Sequence, residues 1–172
     1  MKVRPYADAD LAAVVQVFTT AVHGLCLTNY SEEQCEAWAP QPPDLGDWVK
    51  RLQPLRTIVA VEGGHVAGFI SYEPNGHIDL LYVAPQYARR GVASSLYSRV
   101  ETSLVSAGVA ELSTEASLVA RPFFERVGFM VTEEQEVSLR GSSFRRFAMR
   151  KLVAAQPGVP ADGPRPTGST RG

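Results

Sequence analysis

The sequence predicts an α+β fold in which a mixed, mostly antiparallel central sheet is flanked by helices. Residues 11–22 carry apolar side chains at helical spacing. Residues 56–83 contain three runs of strand length and composition, separated by glycine-containing turn signals. Residues 130–152 have the pattern of a closing hairpin. Helices therefore precede and follow consecutive strands, which is the order typical of α+β folds.

Helix caps, turn residues and changes of hydrophobic period set the limits of the predicted elements. Asp8 is a suitable N-cap for the first helix, and Ser31 with Gln34 has the pattern of a capping box for the second. In chain order we predict a strand at 2–6, helices at 8–22, 31–39 and 44–52, strands at 56–62, 65–72 and 77–83, a helix at 91–107, a strand at 111–116, a helix at 119–127, and strands at 130–139 and 144–152.

Composition indicates a soluble globular protein with one main domain. The chain has 172 residues, 45% of them hydrophobic, and a net charge of −1. No basic stripe suggests nucleic acid, no apolar run suggests a membrane span, and no apolar leader suggests secretion. We therefore expect a cytoplasmic protein with neither nucleic-acid nor membrane partners. Residues 1–152 are the predicted domain, and the Pro/Gly-rich residues 153–172 a disordered tail.

Cysteines and histidines are few and scattered. Cys26 and Cys35 are too few for a disulfide scaffold and lack metal-ligand spacing, so we expect two reduced thiols. The three histidines stand singly. We predict no metal site.

The stretch from His77 to Leu96 contains a strand, a short polar crossing and the start of a helix at Gly91. Backbone N–H groups at a helix N-terminus are unpaired, and the helix dipole favours an anion there. Gly91 lets a ligand approach the main chain, and Arg89 and Arg90 add positive charge. The expected ligand is a phosphate or pyrophosphate.

The segment from Ala88 to Ala93 resembles the acetyl-CoA motif of the GNAT acetyltransferases, usually written [RQ]xxGx[GA]. Gly91 and Ala93 match, whereas Ala88 replaces the usual Arg or Gln. Neither a Walker loop nor a Rossmann glycine motif is present.

A second segment, Ser117–Phe129, resembles the other GNAT signature, usually NxxAxxxYxxxGF. Ser117 stands where Asn is usual, and Phe124 where Tyr is usual. Closer likeness to the YafP-type bacterial acetyltransferases lies in short segments at 30–31, 37–39, 89–94, 122–126 and 140–141.

This resemblance implies the GNAT fold, in which splayed central strands hold acetyl-CoA. Main-chain groups of the central strand would hold the pantetheine, and amides at the helix start would hold the pyrophosphate. The implied cofactor-binding residues are Leu81, Tyr82, Val83, Arg89, Arg90, Gly91, Val92, Ala93, Ser94, Ser117 and Phe124.

Three side chains are candidates for the base that removes the amine proton. Strand alternation places His77, Asp79 and Leu81 on one face. Asp79 is either the base or a structural carboxylate that pairs with a cation. His77 is either the base or an exposed turn residue, and Glu73 either a third candidate or a surface residue.

The acid that protonates the departing thiolate is not evident. The family's usual Tyr is Phe124 here, which has no acidic proton. Tyr82 or Ser117 could replace it, or water could serve.

The acceptor pocket is expected to be walled by the first helices and the Pro-rich segment after them. We expect His23, Tyr30 and Trp38 to bind the acceptor, although Trp38 is also a candidate core residue.

The predicted function is N-acetyl transfer from acetyl-CoA to the primary amine of a small molecule or peptide, by direct attack in a ternary complex. The alternative is a non-catalytic acyl-CoA-binding GNAT domain that acts as a sensor or interaction module. A homodimer is possible by resemblance.

Overall fold

A seven-stranded sheet in the order β1-β2-β3-β4-β5-β7-β6 forms the centre of the protein. The structure is a computed structural model that describes residues 1–25 and 28–153. Its strands are β1 (Lys2–Pro5), β2 (Arg56–Glu62), β3 (His65–Tyr72), β4 (His77–Val83), β5 (Glu111–Ser117), β6 (Met130–Leu139) and β7 (Ser142–Leu152). Its α-helices are α1 (Leu11–Leu25), α2 (Glu32–Trp38), α3 (Leu45–Leu52), α4 (Val92–Ser106) and α5 (Arg121–Arg126).

Neighbouring strands run antiparallel, except that β4 and β5 are parallel. The parallel step requires a crossover, and α4 supplies it. The predicted mixed, mostly antiparallel sheet with flanking helices is therefore confirmed.

The two faces of the sheet are covered by different helices. One core cluster joins α1 and α3 to the sheet and includes Phe18, Trp48 and Phe69. The other joins α4 and the α5 region to the opposite face and includes Leu96 and Phe124. Within the described ranges, no helix combines the length and apolarity needed to cross a bilayer.

The first helix starts later than predicted. A 3₁₀ turn at Asp8–Asp10 precedes α1, and no side chain of Asp8 caps it. Asp10 instead accepts the Ala7 N–H at 2.8 Å and binds Arg4 through both carboxylate oxygens. The capping box of Ser31 and Gln34 at α2 is confirmed.

A β-bulge at Asp79 changes which residues of β4 share a face. Leu80 pairs with Ser71, and Ile78 pairs with Tyr72, so Asp79 has no partner in β3. Ile78 and Leu81 consequently pack into one core cluster, while Leu80 packs into the other. The prediction that His77, Asp79 and Leu81 share one face is wrong, because it assumed uninterrupted alternation.

Val153 and Cys35 also differ from what the sequence led us to expect. Val153 is buried and donates its N–H to Ala110 O at 2.9 Å, so it packs with the domain. The rest of the predicted tail, residues 154–172, lies outside the described residues. Cys35 is disulfide-bonded, so the expectation of a reduced thiol there is wrong. Cys26 lies outside the described residues.

Candidate active site

Strands β4 and β5 diverge at the centre of the sheet. They pair only at His77 with Ser113 and at Ile78 with Thr114. Residues 80–83 of β4 remain paired with β3, and β5 remains paired with β7 along its whole length. The sheet is thus held together on both sides of a wedge that opens between the two strands.

A cavity of about 580 Å³ occupies this wedge. Its walls come from β4, β5, β7 and the segments that precede α2, α4 and α5. Residues that line it and enter the argument are Tyr30, Trp38, Arg51, His77, Asp79, Leu81, Tyr82, Val83, Ala88, Ala93, Glu115, Ser117, Phe124, Phe144 and Arg146. The expected cofactor residues Leu81, Tyr82 and Val83 lie on its β4 wall.

The main chain of β4 gives this wall its polar groups. A strand directs its N–H and C=O groups alternately to its two sides. Between Asp79 and Val83 one side bonds to β3, and the other side faces the wedge instead of β5. Free strand groups of this kind can pair with an extended amide chain.

The start of α4 forms an open turn beside the cavity. Arg89 and Gly91 both have left-handed backbones, with φ of 60° and 79°. The first amide in the helical ladder is Ser95 N–H, which donates to Gly91 O at 3.0 Å. The amides before Ser95 have no carbonyl four residues back within the helix. A Cβ at Gly91 would meet nothing within 4 Å, so a ligand has room to approach.

Side chains around this turn differ in exposure. Val92 is buried in the core, so only its main chain is available to a ligand. Ala93 lines the cavity, and Arg89, Arg90 and Ser94 are exposed. Arg90 lies 5.9 Å from the centre of the Tyr87 ring, in a cation–π contact that restrains it.

The second motif shapes the far side of the cavity. Ser117 Oγ accepts the Ala120 N–H at 3.1 Å, which organises the turn into α5. Phe124 lines the cavity and packs edge-on against Phe129, with ring centres 5.1 Å apart. Phe124 therefore occupies a cavity wall without offering a proton.

The three candidate bases lie in different surroundings. His77 lines the cavity, and its Nδ1 lies 2.9 Å from Ser113 Oγ. Asp79 also lines it, with Oδ2 3.9 Å from Arg51 Nη2. Glu73 is outside the cavity lining, and its carbonyl and N–H close the turn into β4. The structure brings His77 and Asp79 together, and does not bring Glu73 to them.

Tyr82 is a poor proton donor in its surroundings. Its ring packs against Phe18 and Phe69, with centres 4.8 Å and 5.9 Å away. Burial raises the pKa of Tyr82 to about 12, although nearby Arg51 and a hydrogen bond with Trp38 act in the opposite direction. The raised pKa holds Tyr82 in its neutral form.

An aromatic wall bounds the cavity on the side of α2 and β7. Trp38 lies edge-on to Tyr30 and to Phe144, with ring centres 5.3 Å and 5.9 Å apart. All three residues line the cavity. His23 is not part of the lining, and its Nε2 lies 2.8 Å from Ala39 O. The structure therefore brings Tyr30 and Trp38, but not His23, to the expected acceptor site.

Arg51, Glu115 and Phe144 are among the lining residues that were not predicted. Arg51 reaches the cavity from α3 and pairs with Asp79, a contact no local pattern could indicate. Arg146 Nη1 lies 3.1 Å from Glu115 Oε2 because β5 and β7 are neighbours. The β7 pattern could have indicated Phe144 as an inward residue.

Comparison with known proteins agrees with this architecture. Residues 26–152 match the family described as the acetyltransferase (GNAT) domain. The uncharacterised N-acetyltransferase YafP of Escherichia coli K12 is 37% identical over 150 residues, which are 87% of this chain and 95% of YafP.

Two solved structures extend the comparison. A GCN5-related N-acetyltransferase from Rhodopseudomonas palustris superposes with a TM-score of 0.84 at 33% identity, covering 88% of this chain and 95% of that one. The PaiA N-acetyltransferase from Thermoplasma acidophilum, solved with coenzyme A, gives 0.72 at 21% identity, with 88% and 98% covered.

The match to the family and the identity to these relatives together define the class of protein. This chain belongs to the GNAT acetyltransferase family. It is an N-acetyltransferase of that family.

Proposed function

We propose that this protein transfers the acetyl group of acetyl-CoA to the primary amine of a small molecule or peptide, by direct attack in a ternary complex. One observation carries the proposal: a single cavity runs between β4 and β5 and is lined both by the segment leading to α4 and by His77 and Asp79. A donor held at the helix and an acceptor held beside these side chains would meet inside it.

The donor would be held mainly by the main chain. The free amides of residues 89–94 and the dipole of α4 favour the pyrophosphate. The unpaired side of β4 at residues 81–83 favours the amide groups of the pantetheine arm. Arg89 and Arg90 are exposed, so water and salt screen their contribution.

His77 would remove the proton from the attacking amine. An imidazole is the side chain most often used as a general base. The bond between Nδ1 and Ser113 fixes the ring, and His77 lies in the cavity lining. Positioning of this kind supports a role in proton transfer.

Asp79 would attract the amine in its ammonium form. Its contact with Arg51 is long, at 3.9 Å, and its side chain is 35% exposed. Such a loose pair leaves carboxylate oxygens for a second cation. A backbone N–H near Leu81 or Tyr82 would then stabilise the oxyanion that forms when the amine attacks the thioester.

The non-catalytic alternative is favoured by one observation. Phe124 occupies the cavity wall where the family usually has Tyr, so the usual proton donor is missing. A domain that only senses acyl-CoA would bind it and release no thiol. The cytoplasmic location and the homodimer stay predictions.

Two measurements separate these functions. Thermal melts with and without excess acetyl-CoA, with acetate as the control, test binding: saturation at about 100 times Kd is expected to add about 2.7 kcal/mol of stability. Release of free thiol from acetyl-CoA, measured over a panel of amines, then tests transfer. Binding with amine-dependent thiol release supports the enzyme, binding alone supports the sensor, and no binding contradicts both.

A further inference from the structure

Tyr30 carries a buried hydroxyl that makes no hydrogen bond of normal geometry. Among the described residues, its Oη is the one buried side-chain oxygen or nitrogen of which this is true. Leaving a buried hydroxyl unpaired lowers the stability of the fold. A hydroxyl in this state can bond to a ligand group without first breaking a bond within the protein.

The position of this hydroxyl is well defined. The Tyr30 ring contacts Trp38 of α2 and Phe144 of β7, with centres 5.3 Å and 6.2 Å away. Tyr30 also lines the cavity between β4 and β5. The pKa of Tyr30 is raised, mainly by burial, while the Ser117 hydroxyl and the main chain at Leu118 and Val119 act in the opposite direction. These groups lie near the phenol oxygen and could only donate to it, so they do not use the proton of the Tyr30 hydroxyl.

No other side chain of the cavity is as suited to donate to the sulfur. Phe124 has no hydroxyl, and burial raises the pKa of Tyr82 to about 12, which makes it a weak acid. Thr114 Oγ1 already donates to Ile78 O at 2.9 Å, whereas Ser117 Oγ accepts the Ala120 N–H and keeps its own proton. A serine hydroxyl is also a far weaker acid than a phenol.

We propose that Tyr30 protonates the thiolate that leaves when acetyl-CoA is cleaved. This inference rests on the proposed acetyl transfer. It gives the reaction a proton donor on the loop before α2, in place of the one that Phe124 cannot supply.

The step balances in atoms and charge. The amine nitrogen bonds to the carbonyl carbon, the carbon–sulfur bond breaks, and its electron pair goes to sulfur. The proton on Tyr30 Oη passes to sulfur and gives the free thiol of coenzyme A. The proton that the amine loses to His77 returns through water to the tyrosinate. A neutral amine thus yields an amide and a thiol with no net change in protons.

Burial leaves the proton transfer about as uphill as the ordinary values suggest, because it acts on both groups. A phenol is ordinarily a weaker acid than a thiol, by about 1.5 pKa units. Desolvation in the cavity disfavours a thiolate as it disfavours a tyrosinate, so it raises the pKa of both groups. The hydroxyl also stabilises the departing thiolate by donating a hydrogen bond before the proton moves.

The test compares Tyr30→Phe with Tyr6→Phe, which removes the same atom outside the cavity lining. We expect Tyr30→Phe to lower kcat by about 10²-fold, with the Kd of acetyl-CoA changed less than threefold. A donor in which oxygen replaces the thioester sulfur has a far more basic leaving group. The loss should therefore be larger with that oxygen ester than with acetyl-CoA. Tyr6→Phe should match the wild type with both donors.

A second variant keeps the test decisive. Phe124→Tyr introduces a phenol at the cavity wall. The double variant with Tyr30→Phe should have a kcat at least tenfold higher than that of Tyr30→Phe alone. The inference is overturned if Tyr30→Phe raises only the KM of the amine, or if its loss is equal for both donors. Failure of the wild type to release thiol with any amine would instead overturn the proposed transfer itself.

Discussion

His77 and Ser113 are joined by a hydrogen bond of 2.9 Å at the last point where β4 and β5 still pair. Their main chains are register partners, so the same two residues close the sheet and begin the cavity. Because Ser113 binds Nδ1, the ring has a fixed direction, and under the proposed role Nε2 is the nitrogen that would accept the proton of the amine. The candidate base His77 thus lies at the point where β4 and β5 begin to separate.

The role of His77 predicts a loss of turnover in His77→Gln. We expect kcat to fall by about 10²-fold or more, because the amide cannot accept the amine's proton. Binding of acetyl-CoA should be unchanged, because the proposed donor site is the main chain of β4 and α4. Thiol release at saturating donor and calorimetry with acetyl-CoA check this, and a kcat within threefold of the wild type would contradict the role of His77.

Asp79→Asn separates attraction of the ammonium from proton removal. We expect it to raise the KM of the amine about tenfold and to change kcat by less than threefold. If Asp79→Asn abolished turnover while His77→Gln kept it, the two roles would be reversed. Ser113→Ala, which frees the ring without removing it, should give an intermediate kcat.

The open space at Gly91 predicts that Gly91→Ala lowers the affinity for acetyl-CoA. An added Cβ in Gly91→Ala would occupy the open space above the helix amides and hinder the pyrophosphate. Gly108→Ala is a matched control, because Gly108 has a similar left-handed backbone and equally open surroundings at the other end of α4. Both should lose about 1 kcal/mol of stability through backbone strain. Calorimetry should show at least tenfold weaker acetyl-CoA binding for Gly91→Ala alone.

Arg89 and Arg90 should contribute less than the amides do. Each side chain is exposed, so its ion pair with a phosphate is worth about 0.2–1 kcal/mol. Arg89→Ala and Arg90→Ala are each expected to weaken acetyl-CoA binding less than tenfold at 0.15 M salt. A larger loss in either single variant would mean that side-chain charge, not the helix start, holds the pyrophosphate.

Local pattern was sufficient to predict the order of elements and the start of α4 after Gly91. Strand alternation, the Ser31 capping box and the isolated Gly91 all act within a few residues, so the sequence contains their signal. Arg51 and Phe144 reach the cavity from distant elements, and their positions depend on strand order and packing. The β-bulge at Asp79 was not predicted, because a single unpaired residue does not change the composition of a strand.

The 3₁₀ turn before α1 also shows that local pattern cannot predict contacts with distant elements. Asp8 and Asp10 are both acceptable caps by residue type. Asp10 is favoured because Arg4, across the turn from β1, supplies two hydrogen bonds at 2.7 Å and 2.8 Å. That partner comes from the strand, so helix-cap rules alone could not distinguish the two aspartates.

Asp10 predicts an acid-dependent part of the stability. The Arg4 guanidinium holds the pKa of the Asp10 carboxyl below its ordinary value of 3.8, against the effect of burial. A lowered folded-state pKa stabilises the fold above the unfolded-state pKa and loses that effect as the pH falls through the folded value. Asp10→Asn should therefore lower Tm by a few degrees at pH 7, and by progressively less below pH about 4. A Tm difference between Asp10→Asn and the wild type that stays constant across this pH range would contradict the linkage.

A contact joins α2 to the β6–β7 turn, and we predict that this contact affects binding of the amine in the acceptor pocket. Arg140 Nη1 donates to Ala37 O at 2.7 Å, next to Trp38 in the aromatic wall. The variant Arg140→Ala leaves residue 140 with the same left-handed backbone but removes the hydrogen bond to Ala37 O. Trp38 should then lose its fixed position. With the best amine from the thiol-release screen, we expect its KM to rise about three- to tenfold while the Kd of acetyl-CoA stays constant. Arg150→Ala, another exposed arginine, removes only a pair with Glu111 and should leave both constants unchanged. An equal rise in both variants would mean that surface charge, not the α2 contact, governs acceptor binding.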